Sequence, residues 1–214
     1  MFISLKDIVK KFKMNLRGVI HIGAHKGEEL FSYYQNDVKN IILIEANKDL
    51  IQHLKFKKFI FNFFSLKIDI FNFAAYHDSL EKIDLFITSN TQSSSILKLK
   101  KHKELYPDII ETKKNSIPAK RVDEIFNKNL NIQNYNFINI DIQGAELQAL
   151  KGCSKILNNI DAIYTEINFD ELYENCTLVE NLDNFLIKYG FIRVITDTPQ
   201  HETWGDALYI KKPI

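Results

Sequence analysis

The chain has 214 residues, 45% hydrophobic and 12% aromatic, enough for one sizeable core and too few for two comfortable domains, so a single domain over residues 1–214 is expected. Its 28 basic and 27 acidic residues nearly cancel, which excludes an overall field drawing it to nucleic acid or an anionic membrane and points to a small-molecule partner. Cys153 and Cys176 are too few for a disulfide scaffold, Lys6, Lys10, Lys11 and Lys13 interrupt any signal-like start, and no apolar run nears the roughly 18 residues of a membrane span, so a soluble, cytoplasmic protein is expected.

In chain order, Ser4 and Asp7 resemble a capping box ahead of Leu5, Ile8, Val9 and Phe12, which predicts a leading helix within residues 1–14. Val19 to Ile22 reads as a strand that meets Gly23, and Lys26 to Asn36 as a helix with Leu30, Phe31 and Tyr34 on one face. A second strand, Ile41 to Ile44, ends at Glu45, and Asn47 can cap a helix carrying Leu50, Ile51 and Leu54. Two strand-like runs follow, Ile68 to Tyr76 and Lys82 to Thr88, separated by the polar turn HDSLE.

Residues 90–120 are polar and weakly periodic, with a helix near Ile96 to Leu105 stopping before Pro107, and are expected to be an insertion over one sheet edge. Asn136 to Asp141 is a strand, followed by a helix with Leu147, Leu150 and Ile156 that is irregular at Gly152, and then by a strand from Ala162 to Ile167. Thr177 and Glu180 predict a capped helix through Tyr189, stopped by Gly190 in a left-handed conformation. The runs Phe191 to Thr196 and Ala207 to Lys212 read as a terminal antiparallel pair. Strands alternating with helices predict an α/β fold built on an open, mainly parallel sheet with helices on both faces.

In such a sheet ligands bind where strands end, so the terminators of the apolar runs are the candidate site. Gly23 and Gly27 lie in the turn HIGAHKGEE, where glycine lets backbone approach a ligand and present N–H groups; an ordinary tight turn explains them equally well. Glu45, about twenty residues on, can accept hydrogen bonds from both hydroxyls of a ribose. GAHKG lacks the closely spaced glycines of a dinucleotide fingerprint, which favours a nucleoside without phosphates over a nicotinamide cofactor. A nicotinamide-dependent oxidoreductase and a non-catalytic nucleoside-binding module are the competing readings.

VIHIGAHKGEE, LIEAN, NFAAYHD, SSSIL, IPAKRVDEI, NFINIDIQGAELQALKG, TEINFDELYEN and WGDALYIKK together resemble the FkbM-type methyltransferases over most of the chain, DIQGAELQALKG most specifically. The resemblance implies a Rossmann-like fold, S-adenosylmethionine as cofactor, and O-methylation of a hydroxyl on a small molecule or sugar. It implies that Gly23, Ala24, His25 and Gly27 border the methionine part, Glu45 and Ala46 the ribose, and Asn72, Ala74 and Ala75 the adenine. The family usually carries Asp where this chain has His21, Asn where it has His25, and Glu where it has Gln143.

A sulfonium is already an excellent leaving group, so the protein has mainly to align the acceptor oxygen and remove its proton. Asp141, which ends its strand beside the expected methyl group and can also touch the cofactor, is the leading candidate for this. Glu166 at the end of the next strand comes second and His25 is the alternative base. Glu146 can instead hold the turn at Gly144, and Ser93, Ser94 and Ser95 can line an acceptor pocket. No CxxC or HExxH spacing occurs, and no metal is expected.

Overall fold

The computed structural model describes residues 3–211, so Met1 and Phe2 of the leading helix and Lys212 of the last strand lie outside the described residues. Ten strands and six α-helices follow in order: α1 (Leu5–Phe12), β1 (Gly18–Ile22), α2 (Leu30–Gln35), β2 (Asn40–Ile44), α3 (Ile51–Asn62), β3 (Lys67–Phe71), β4 (Ala74–Ala75), β5 (Leu80–Thr88), α4 (His102–Leu105), β6 (Glu111–Lys120), β7 (Phe137–Ile140), α5 (Glu146–Gly152), β8 (Ala162–Asn168), α6 (Val179–Leu186), β9 (Phe191–His201) and β10 (Trp204–Lys211).

Seven strands form one sheet in the order β3-β2-β1-β7-β8-β10-β9. The first five are parallel, and β10 runs antiparallel to both β8 and β9. The inner parallel strands β1, β2, β7 and β8 are buried along almost their whole length because both faces are covered, whereas the edge strand β3 carries exposed Lys67 and half-buried Asp69. Ile20, Ile22, Ile42, Ile44, Ile138 and Ile140 point to the side packed by α5 and α6, while Val19, Ile41, Leu43 and Phe137 point to the side of α1, α2 and α3. Each of these side chains, taken wholly out of water, contributes about 1.5–3 kcal/mol. The terminal pair sits at the edge as expected, with Phe191 opposite Lys211 and Thr196 opposite Ala207.

Several local expectations are corrected. Ser4 makes no side-chain cap; its carbonyl alone accepts Asp7 and Ile8 N–H. The helix expected from Lys26 begins only at Leu30, because His25 and Gly27 hold positive φ of 46° and 72° and keep 23–29 as a ligand-sized loop. The run Ile68 to Tyr76 is broken at Asn72, whose side-chain amide donates to the Glu45 and Ala46 carbonyls at 2.7 and 3.1 Å and turns the chain out of the main sheet. Residues 111–120, expected to be irregular, form a ten-residue strand that joins β4 and β5 in a second, three-stranded sheet. The expected helix at 96–105 shrinks to α4. Thr177 does not cap α6: its N–H goes to the Gly144 carbonyl at 2.9 Å, and extended Leu178 precedes the helix. Gly190 does take the left-handed stop, at φ 85°.

Gly152 fixes the second sheet to the first, since a Cβ there would lie 2.1 Å from the Tyr76 carbonyl oxygen just after β4. Gly152→Ala is expected to cost about 1–3 kcal/mol through forced displacement of that backbone. An unchanged urea midpoint would contradict this close approach.

Candidate functional site

At the carboxyl ends of β1, β2 and β7 the chain forms a cleft with about 1020 Å³ of empty space, its open mouth included. Its floor is a set of backbone locks. Gly23 and Ala24 N–H both donate to the Ile44 carbonyl, Glu45 N–H to the Phe71 carbonyl, and Asp141 N–H to the Ile22 carbonyl. Gly23 is indispensable to this arrangement: its φ is +83°, and a Cβ would lie 1.8 Å from the Asp141 carbonyl oxygen. Phe73, Ala74, Ala75, Leu85, Ile96 and Ile142 supply an apolar wall, half of it from strands of the second sheet.

Glu45 is buried and fastened, accepting the N–H of His25 at 2.7 Å on one oxygen and of Asn47 at 2.7 Å on the other. Burial, against the pull of these backbone donors, raises its carboxyl to about 7. His25 uses both ring nitrogens, Nδ1 with Glu28 at 2.9 Å and Nε2 with the Thr91 hydroxyl at 2.8 Å. It thereby ties the glycine turn to the 91–95 segment. His21, which strand-end reasoning passed over as a site residue, lines the cleft fully buried, packed edge-on to Tyr33. Burial lowers its pKa, and among the described residues its Nδ1 has no hydrogen-bond partner.

Of the residues expected to contact a cofactor, Gly23, His25, Glu45, Ala46, Ala74, Ala75 and Asp141 line this cleft. Three do not. Ala24 is buried in the core on the α2 side, Gly27 packs against Leu30 and Leu54, and Asn72 supports the cleft from outside by holding the Glu45 and Ala46 carbonyls.

A second cavity adjoins the first and shares Glu29, Gln92, Asp141 and Asp206 with it; Gln143, Glu166, Tyr106, Tyr173 and Trp204 complete much of its wall. Gln143, held at φ 59°, organises the boundary. Its Nε2 donates to Asp141 at 2.7 Å and to Glu166 at 2.6 Å, and its Oε1 accepts from the Tyr173 hydroxyl at 2.6 Å. Asp206 pairs across the sheet with Glu166 and accepts the Tyr164 hydroxyl. Ser94 and Ser95 face the first cavity and Ser93 the second, while the Ser95 hydroxyl donates to the Gln143 carbonyl at 2.8 Å.

Asp141 is exposed in the cavities at the end of β7; desolvation by the groups around it and the Asp206 charge push its carboxyl up to about 6. Glu166 is displaced upward by burial and by the charges of Asp141, Glu146 and Asp206. Glu146, raised by burial to about 7, accepts the N–H of Gly144 at 3.0 Å and of Ile142 at 3.3 Å, which is the turn-holding role. Among the described residues no group of three or more His, Cys, Asp or Glu is arranged to hold a metal ion, and no helix is long and apolar enough to cross a membrane.

The family model described as the methyltransferase FkbM domain matches residues 21–193. Among solved structures, methyltransferase FkbM from Methylobacillus flagellatus KT superposes with a TM-score of 0.60 at 16% identity, covering 90% of this chain and 43% of its own, so the chain spans less than half of that protein's length. Magnesium protoporphyrin IX methyltransferase from Synechocystis PCC 6803, solved with bound SAM, gives a TM-score of 0.53 at 8% identity, covering 96% of this chain and 74% of its own. The same enzyme with bound SAH gives 0.55 at 7% identity, covering 98% and 80%. A search of the curated proteins finds no match.

Because Glu146 and Glu166 have raised carboxyls in the fold, ionising them costs more there than in the unfolded chain, and stability present below the ordinary glutamate range is lost progressively as pH rises, through about 7 for Glu146 and beyond its ordinary range for Glu166. The apparent melting temperature is therefore expected to fall as pH rises from about 5 to about 7, by an amount equivalent to roughly 1–3 kcal/mol. Glu166→Gln, which removes one of the charges, should flatten that fall; equal slopes for wild type and variant would contradict the electrostatic account.

Proposed function

The chain belongs to the FkbM methyltransferase family, and from that premise we propose that it transfers the methyl group of S-adenosylmethionine to a hydroxyl oxygen of a small molecule or glycan. The observation that carries this reading is the position of Asp141 on the boundary of two adjoining cavities. A donor in one and an acceptor in the other would meet at its carboxylate.

The residues of the first cavity fit the cofactor. The Phe73 to Ala75 wall offers an apolar slot for a planar base, Glu45 offers carboxylate lone pairs to ribose hydroxyls, and Gly23 leaves the space that a side chain would fill. His21 supplies a buried nitrogen without a partner among the described residues, suited to the polar end of the amino-acid part. S-adenosylmethionine brings an activated methyl on sulfur, so the protein has to align the acceptor and take its proton. Gln143 holds one oxygen of Asp141, which orients the carboxylate, and the other oxygen would serve as proton acceptor. A carboxyl raised to about 6 is ionised at neutral pH yet more basic than an ordinary aspartate, which suits a general base. Glu166, bonded to the same amide, acts as a positioning residue behind it.

Calorimetry should detect S-adenosylhomocysteine, and Glu45→Ala should weaken it by about 1.5–3 kcal/mol, the value of a lost charged hydrogen bond. Binding of NADH with none of S-adenosylhomocysteine would end this assignment.

Asp141→Asn should lower methyl transfer by roughly 100-fold or more while changing S-adenosylhomocysteine affinity far less. In the wild type the rate should climb as pH rises through about 6 and then level, since the base must be ionised. Full turnover in Asp141→Asn would remove the residue from the chemical step.

A further inference from the structure

Helix α3 is not amphipathic in the ordinary sense. Only Leu54 is fully buried in it, while Phe56 (66% exposed), Phe59 (62%) and, just past its end, Phe63 (75%) stand in solvent. Phe31 on α2 is 58% exposed and continues the surface through Tyr34, whose ring lies 6.4 Å from Phe31 and 5.2 Å from Phe64. Phe59 and Phe63 meet edge to face at 5.3 Å. Two exposed aromatic clusters on and beside one helix mark an interaction site, because monomeric soluble proteins rarely expose much apolar surface in one place.

Charge identifies the partner. The 19 residues between Asp49 and Asp69 contain no acid and include Lys55, Lys57, Lys58 and Lys67, although the whole chain is nearly neutral. Protein–protein interfaces are depleted in lysine, whereas phenylalanine interleaved with lysine is the composition of helices that lie in the interface of an anionic bilayer. The aromatic rings enter the acyl boundary while lysine stems reach up to the headgroups. The geometry agrees with this. α3 leaves the cleft end of β2 and delivers the chain to the start of β3, parallel to β2, so Phe59 to Phe64 lie at the end of the sheet opposite the cleft.

We propose that α3 with the adjoining Phe31 and Phe63 is a peripheral docking surface for anionic lipid membranes. The balanced net charge of the chain hides it, since attraction is set by the charges within a Debye length: Lys55, Lys58 and Lys67, with Lys57 turned to the Gly27 carbonyl beside Glu28. Docking there leaves the cleft facing away from the bilayer and open to ligands from the aqueous side.

Co-sedimentation with vesicles of phosphatidylcholine alone, and of phosphatidylcholine with phosphatidylglycerol, tests the proposal. The protein should pellet with the anionic vesicles, less so as salt is raised, and stay in solution with the neutral ones. The double variant Phe59→Ser and Phe63→Ser should lose binding by about tenfold or more per side chain. Lys55→Glu with Lys58→Glu should abolish the preference for phosphatidylglycerol. S-adenosylhomocysteine binding measured alongside reports whether the variants keep the fold, independently of the vesicle result. Failure to pellet with anionic vesicles would overturn the proposal. So would a soluble wild-type dimer that the phenylalanine variant splits while vesicle binding is unaffected, which would assign the surface to a second copy of the chain.

Discussion

The contact between Gly23 and the Asp141 carbonyl is the constraint around which the rest of the site is arranged. β1 lies between β2 and β7, and at its carboxyl end the backbone turns so tightly over β7 that no side chain fits. The same turn donates two N–H groups to Ile44, which locks the ends of β1 and β2 together. With those ends fixed, Glu45 accepts the His25 N–H, and His25 in turn reaches Glu28 and Thr91. One close approach thus sets the turn, the buried acid and the 91–95 segment in a single geometry. Pre-organisation of this kind lowers the cost of ordering groups around a ligand when it binds.

Acid crowding is the second organising feature. Asp141, Glu146, Glu166 and Asp206 lie near one another where burial already disfavours charge. Two devices make this tolerable. Glu146 is surrounded by backbone N–H groups, and one amide of Gln143 serves Asp141 and Glu166 together while its carbonyl is matched to Tyr173. A glutamate at position 143 would present a third acid where this chain presents a donor. The arrangement stores unfavourable electrostatic energy at the boundary of the two cavities, where raised carboxyl pKa values suit proton transfer.

The two ends of the sheet divide the work. Strand carboxyl ends carry acids, glycine and small polar side chains around a cleft, whereas the other end, beside α3, carries phenylalanine and lysine.

The main sheet and most of its strand ends follow from local composition, although β8 runs past Glu166 to Asn168. Unbroken runs such as Ile41 to Ile44 need two covered faces, which means helices on both sides, and the strand-end rule then leads to Gly23, Glu45, Asp141 and Glu166. Gly190 was equally legible, since a left-handed stop is a local property. Tertiary structure decided what depends on partners distant in sequence. β6 carries an apolar signal only at Ile117 and Ala119, and it is a strand because β5 and β4 flank it. Thr177 and Glu180 have capping-box spacing, yet the Thr177 N–H is claimed by Gly144, 33 positions earlier in the chain. Glycine spacing could not separate Gly23, which meets Asp141, from Gly27, which meets Leu30 and Leu54, because a close approach is defined by the second chain segment. For the same reason Asp206, in mid-strand, was invisible: only the antiparallel register of β10 on β8 sets it opposite Glu166.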